Sequence, residues 1–205
     1  MNGVNFVDRL KDLGMPVVSL ESAGAIIQKS PGYTHIYMGR LCKAGAIKMI
    51  ERGKYCLPGT DEYTIASRIV PQSYITGYSA LGHYKLTTQI TTEMQIIAPK
   101  YHRPIRLKNH TAKFSKVKKE FIYGYTVTSN GPIFAEPEKI FIDDLYLHGK
   151  QYYTEEFDYA MENNRLDLQK LRTYAQMSNS PTLIRRIAKC LKNYGSDAQK
   201  SKSSK

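Results

Sequence analysis

Along the first sixty residues the spacing of apolar positions changes twice. Val4, Phe6, Val7, Leu10 and Leu13 recur at helical intervals, and Gly14 ends that run. Met15-Pro16-Val17-Val18 reads as an extended connector, and Ser19 or Ser22 can cap a helix of small apolar residues over 20–28. Ser30-Pro31-Gly32 breaks that helix. A third helix is predicted over 34–44, stopped by Gly45. Ile36, Leu41 and either Tyr37 or Met38 should face inward, with Thr34, His35, Arg40 and Lys43 outward. The period then shortens: 46–50 and 55–58 read as strands around the turn Glu51-Arg52-Gly53-Lys54. Three short helices and a hairpin are the order of a winged helix-turn-helix, so residues 1–58 are expected to be one such domain.

Beyond residue 58 the texture differs. A helix is predicted over 61–68 and another over 79–86. Strands are predicted over 89–92, 94–98, 105–107, 121–128 and 133–134, with Ser129-Asn130-Gly131-Pro132 as a turn. Glu136-Pro137-Glu138 opens a helix with proline in its first turn and Ile140, Phe141, Leu145 and Leu147 inward. Three more helices follow, over 155–161, 167–176 and 181–193. The fold class is therefore α+β. A winged helix-turn-helix precedes a mixed α/β domain over 59–194, which has a small, mostly antiparallel sheet and C-terminal helices. Residues 195–205, poor in core-forming side chains, are expected to be a disordered basic tail.

Charge narrows the choice of partner. The chain carries 30 Lys and Arg against 18 Asp and Glu, a net charge of +12, which attracts polyanions. The excess is spread along the whole chain, so it does not locate a site. Three scattered cysteines and five histidines show no zinc spacing, which implies reduced thiols and neither metal nor cofactor. No stretch has the roughly 20 apolar residues of a membrane span, and charges interrupt the N-terminus where a signal peptide would need an apolar run. A cytoplasmic protein with double-stranded DNA as partner is the expectation.

A helix fits the major groove and a hairpin reaches the adjacent backbone, so the third helix is the expected reader. Arg40 can fork onto a guanine edge or a phosphate. Tyr33 and Thr34 can donate to phosphate near the helix start, and His35, Tyr37 and Lys43 lie beside them. Lys48, Arg52 and Lys54 of the hairpin can meet further phosphates. Lys100, Arg103, Arg106, Lys108, Lys113, Lys116, Lys118 and Lys119 mark a second basic strip. It reads as a further DNA contact, a face for an acidic partner, or a lysine-protected sheet edge.

The stretch from Gly45-Ala46-Ile47 through Arg52-Gly53-Lys54-Tyr55 to Pro58 resembles the wing of AbiE-type antitoxins, the regulators of abortive-infection (type IV) toxin–antitoxin systems. Two later pieces stand in matching order, Tyr74-Ile75-Thr76-Gly77-Tyr78-Ser79-Ala80-Leu81 and Ala135-Glu136-Pro137-Glu138-Lys139-Ile140-Phe141-Ile142-Asp143. Together they cover residues 33–148. The resemblance implies an autorepressor that binds inverted repeats in its own promoter, as two copies or a homodimer. It also implies a second domain that counteracts a nucleotidyltransferase toxin, with Glu138, Lys139 and Asp143 as motif residues. One competing reading is a metal-dependent nuclease using Glu136, Glu138 and Lys139, with Asp143 and Asp144 as further oxygens. The alternative for those two aspartates is a solvated helix face or pairing with Lys139 or Lys150. The other competing reading is a winged-helix adaptor that binds protein.

Overall fold

The computed structural model describes residues 3–202, with the side chains of Val4, Asn193 and residues 195–202 left aside. The N-terminal unit runs α1 (Gly3–Asp12), β1 (Val17–Ser19), α2 (Leu20–Ile27), α3 (Pro31–Lys43), β2 (Lys48–Glu51) and β3 (Lys54–Cys56). The extended connector is thus a strand: Val17 faces Cys56 and Ser19 faces Lys54 in an antiparallel ladder. The sheet order is β1-β3-β2. Phe6, Leu10, Val18, Ala23, Met38, Leu41, Ile47 and Tyr55 form the core of this unit. Ser19 caps α2, its Oγ accepting from Ser22 N at 3.0 Å.

The second unit runs α4 (Glu62–Arg68), β4 (Tyr74–Thr76), α5 (Gly77–His83), β5 (Glu93–Ala98), β6 (Ile105–Arg106), β7 (Thr111–Lys116), β8 (Tyr125–Thr126), β9 (Phe134–Ala135), α6 (Pro137–His148), α7 (Thr154–Glu162), α8 (Leu168–Met177) and α9 (Pro181–Lys202). The strands lie in the order β6-β7-β5-β4-β9-β8. The class is α+β as expected, but this sheet is mixed where a mostly antiparallel one was expected. β5 runs parallel to β7 over six residue pairs, and β4 runs parallel to β9.

Local interactions explain two misplaced strands. Across 89–92 the Thr87 and Thr91 hydroxyls accept from Gln89 N and Glu93 N, forming side-chain turns that compete with a ladder. At 121–128 aromatic packing prevails. A 3-10 turn, Lys119–Phe121, places the Phe121 ring 4.0 Å from Tyr146, and the backbone turns at Gly124, leaving a two-residue strand. The strand at 111–116, an interior one, replaces part of what reads in sequence as a basic strip.

Every residue of α6 from Glu138 to Leu145 is buried, because α5, α8 and α9 pack around it. The backbone of α9 continues as helix to Lys202, past the point where the tail was expected to begin. Ala198, Gln199 and Lys200 are good helix formers, and no proline intervenes. Residues 203–205 of that tail lie outside the described residues. The two units meet through a small apolar cluster, with Ile50 of β2 against Ile69, Val70, Ala98 and Ile105.

Candidate nucleic-acid interface

The third helix starts earlier than its apolar pattern suggests. Ser30 is its N-cap and Pro31 its first residue, so the apparent breaker is the entry to the helix. Thr34 stands seven residues before Leu41 and so shares its stripe, whereas Ile36 does not. Thr34, Met38 and Leu41, spaced four and three apart, face the core. Tyr33, Ile36, Arg40 and Lys43, on the opposite stripe, are exposed, as is His35. Thr34 and Ile36 therefore exchange the places expected of them. Thr34 is fully buried and so cannot donate to a phosphate. Its Oγ1 donates instead to the Ser30 carbonyl at 2.9 Å. It also sits where α2 comes closest: a Cβ on Gly24 would stand 3.3 Å from Thr34 Oγ1, so the crossing needs small side chains. Ile36 is 58% exposed.

Tyr37 is half-buried, edge-on to Phe6 at 5.7 Å and stacked with Tyr33 at 6.3 Å. Burial, then the neighbouring Tyr33, raises its hydroxyl above the ordinary tyrosine range. It packs the helix to α1 and supports Tyr33 from below. At the hairpin, Lys48 and Arg52 are exposed, and Gly53 turns the chain at φ 77°. Lys54 is committed elsewhere. Its Nζ donates to the Ile69 carbonyl at 2.6 Å and lies 3.5 Å from Glu51, which turns it toward the second unit rather than toward a ligand. Among the described residues, no ion pair engages Arg40, Lys43, Lys48 or Arg52. Two of these cations stand on α3, one at the start of β2 and one in the β2–β3 turn.

A feature not foreseen from the sequence joins the second basic strip to this hairpin. His102 Nε2 donates to Glu51 Oε1 at 2.9 Å, and Arg103 lies 3.7 Å from Glu51 Oε2. The His102 ring packs on Phe114 of β7. Burial alone would raise the Glu51 carboxyl, but the His102 hydrogen bond and the charges of His102 and Lys54 outweigh it and hold the group below its ordinary value. The docking leaves Lys100, Tyr101 and Arg103 exposed beside the hairpin. Arg106, Lys108, Lys113, Lys116, Lys118 and Lys119 are also exposed. The only sequence signal for this joint was one acid among the basic residues of the hairpin.

The residues of the motif around Glu138 are interior. Lys139 is fully buried: its Nζ donates to Asp143 Oδ1 and, at 2.7 Å, to the Tyr74 hydroxyl, and stands 3.8 Å over the Phe121 ring. Burial pushes the Lys139 ammonium down and the Asp143 carboxyl up, and each partially restores the charge of the other. Asp144 accepts from His148 and from the backbone of Tyr152. Neither aspartate lies on a solvated face, and Asp143 pairs with Lys139. Glu136 accepts from Tyr174 and meets Lys170, while Glu138 accepts from Asp167 N. Of the groups proposed for metal-dependent cleavage, Glu136 and Glu138 thus share Lys170, at 3.1 and 3.6 Å, while Lys139 is sealed from water and pairs with Asp143. Among the described residues no group of three His, Cys, Asp or Glu is placed to hold a metal, and no helix is long and apolar enough to cross a membrane. A scan of protein-family models matches no part of the chain, and a comparison with curated proteins finds no relative.

Proposed function

We propose that the N-terminal unit is a winged helix that binds duplex DNA, with α3 in the major groove and the β2–β3 turn on the flanking backbone. The observation that carries this reading is that Arg40 and Lys43 of α3 and Lys48 and Arg52 of the hairpin are exposed and, among the described residues, outside any ion pair. A cation left without a carboxylate has no desolvated partner to lose on meeting phosphate. The element order supports it: α1, β1, α2 and α3 precede a hairpin whose far strand is pinned by β1. The strap at 100–103, docked on the same hairpin, continues the positive surface onto the second unit. On the resemblance of the three motifs, we extend the reading to an autoregulating antitoxin at inverted repeats in its own promoter, opposed to a nucleotidyltransferase toxin.

Gel shift on the DNA upstream of its own gene, across a salt series, tests the proposal. Affinity should fall with salt with a slope near 0.9 per phosphate contact, and Arg40→Ala with Arg52→Ala should lower that slope by about 2. Affinity that ignores salt, or survives both substitutions unchanged, refutes it and favours a protein-binding adaptor. Loss of growth rescue against a co-expressed nucleotidyltransferase tests the antitoxin extension separately.

A further inference from the structure

Helix α3 buries a hydroxyl and exposes an isoleucine. Thr34 is fully buried, while Ile36, two positions on, is 58% exposed and stands outside the core of its unit. Folding gains little from an isoleucine so placed, since an aliphatic side chain stabilises in proportion to the apolar surface it removes from water. Its neighbours on the helix surface set it apart. Tyr33 lies three residues before it and Arg40 four residues after it, both exposed, and those spacings put the three on one side of α3. Gly32 lies four residues before it and Gly39 three after. A Cβ on either glycine would meet nothing within 4 Å, so packing within the molecule does not call for glycine there. Glycine inside a helix weakens it relative to alanine, and one use of it is a close approach of the backbone to a ligand. Ile36 thus projects between two bare stretches of backbone, with a cation and a phenol beside it.

On the reading of α3 as the helix that enters the major groove, on which this inference rests, the partner of an aliphatic group is narrowly defined. The base-pair edges present donors and acceptors there, and a single apolar group, the C5-methyl of thymine. An isoleucine pressed on an amino group or a carbonyl would strip it of water and return no hydrogen bond. Tyr33 and Arg40 supply the polar contacts, to phosphate or to guanine, that hold the helix in register. We propose that Ile36 is a specificity-determining residue that reads a thymine methyl, so that the preferred duplex carries thymine at the base pair facing Ile36.

The upstream duplex of the gene is prepared twice, once with thymine and once with uracil in its place, so that the two differ by the 5-methyl group alone. In gel shift the parent chain should bind the thymine duplex about four- to tenfold more tightly, the lower figure being the transfer value for one buried carbon. Ile36→Ala leaves the core intact and should melt as the parent does. It should bind the thymine duplex about as weakly as the parent binds the uracil duplex, and distinguish the two by less than about twofold. Lys48→Ala, which removes a phosphate contact, should weaken both duplexes alike and keep the preference. Single thymine-to-uracil replacements then locate the base pair. The proposal is overturned if the parent holds both duplexes equally. It is also overturned if Ile36→Ala keeps the full preference, because the preference then belongs to duplex shape or to another residue. In either case salt-dependent binding of the duplex stands, so the DNA reading survives. A parent chain that binds neither duplex overturns the DNA reading and the role of Ile36 with it, and assigns the exposed face of α3 to a protein partner.

Discussion

Removing the ammonium of Lys139 should be among the most damaging single changes in the protein. Lys139 and Asp143 stand one turn apart on α6, at 0% and 1% side-chain exposure. Nζ is held by Asp143, by the Tyr74 hydroxyl and by the faces of Phe121 and Tyr123 at 3.8 and 4.7 Å. Lys139→Met preserves the length of the stem but leaves Asp143 as a buried, uncompensated acid. Breaking such a pair costs about 3–5 kcal/mol, whereas replacing both partners by apolar groups of similar volume is often neutral. For a chain of this size each kcal/mol moves Tm by roughly 2–4 °C, so the single variant should melt about 6–20 °C lower. The double variant Lys139→Met/Asp143→Leu should recover most of that loss. Urea and thermal denaturation of the parent, both singles and the double close the cycle. The reasoning fails if Lys139→Met costs less than about 1 kcal/mol, or if the double variant costs the sum of the singles, because then the pair carries no coupling.

Three further predictions follow from other parts of the molecule. Ile36→Ala should change stability by no more than about 0.5 kcal/mol, while Met38→Ala, two positions away in the core, should cost about 2–5 kcal/mol; denaturant midpoints of the two variants measure this. Gly77→Ala should destabilise by at least about 1–3 kcal/mol, because Gly77 sits at φ 66° and a Cβ there would collide with Gln95 and stand 2.9 Å from the Tyr153 hydroxyl; a thermal melt within 2 °C of the parent would contradict it. Glu51 is held below its ordinary value, so its link to His102 is complete above the ordinary glutamate value of about 4.3 and is lost as pH falls through the lower, folded value. Glu51→Gln should therefore lose stability near neutral pH and show a shallower decline than the parent in melts from pH 6 down to pH 3.

The N-terminal unit was largely legible because its elements are short and punctuated. Gly14, Ser19, Gly45 and Gly53 mark stops, caps and a turn in the sequence, and the structure uses each of them there. What misled was Pro31. A proline next to a glycine signals a break, yet with Ser30 before it the same residue starts a helix; separately, residue type placed Ile36 inward and Thr34 outward, although Thr34, seven residues before Leu41, shares its buried stripe. The second unit was legible as to its helices and less so as to its sheet. Three of its strands are two residues long and one of these pairs in parallel, and such strands leave little periodic signal. Lys139 could not be placed by residue type at all, because lysine is almost never fully buried unless a partner brought by the fold compensates it. The joint between Glu51 and His102 depends on residues distant in sequence, and its one local trace is the acid in the basic hairpin.

The parallel pairing of β4 with β9 has a consequence for how the chain is made. Ile75 finds Phe134 as its partner across the centre of the large sheet, and α6, which seals that sheet, follows immediately after. A pairing between segments so far apart closes slowly, since loop entropy is lost before the contacts form. The N-terminal core, by contrast, draws its buried members from Phe6 through Tyr55 alone. During synthesis, which proceeds from the N-terminus at roughly 5–20 residues per second, the first unit can close while the strands of the second are still emerging. Helix α3 and the hairpin are thus in place before the remainder of the molecule has acquired its shape. Slow or interrupted elongation would then release copies whose first unit is closed and whose large sheet is not.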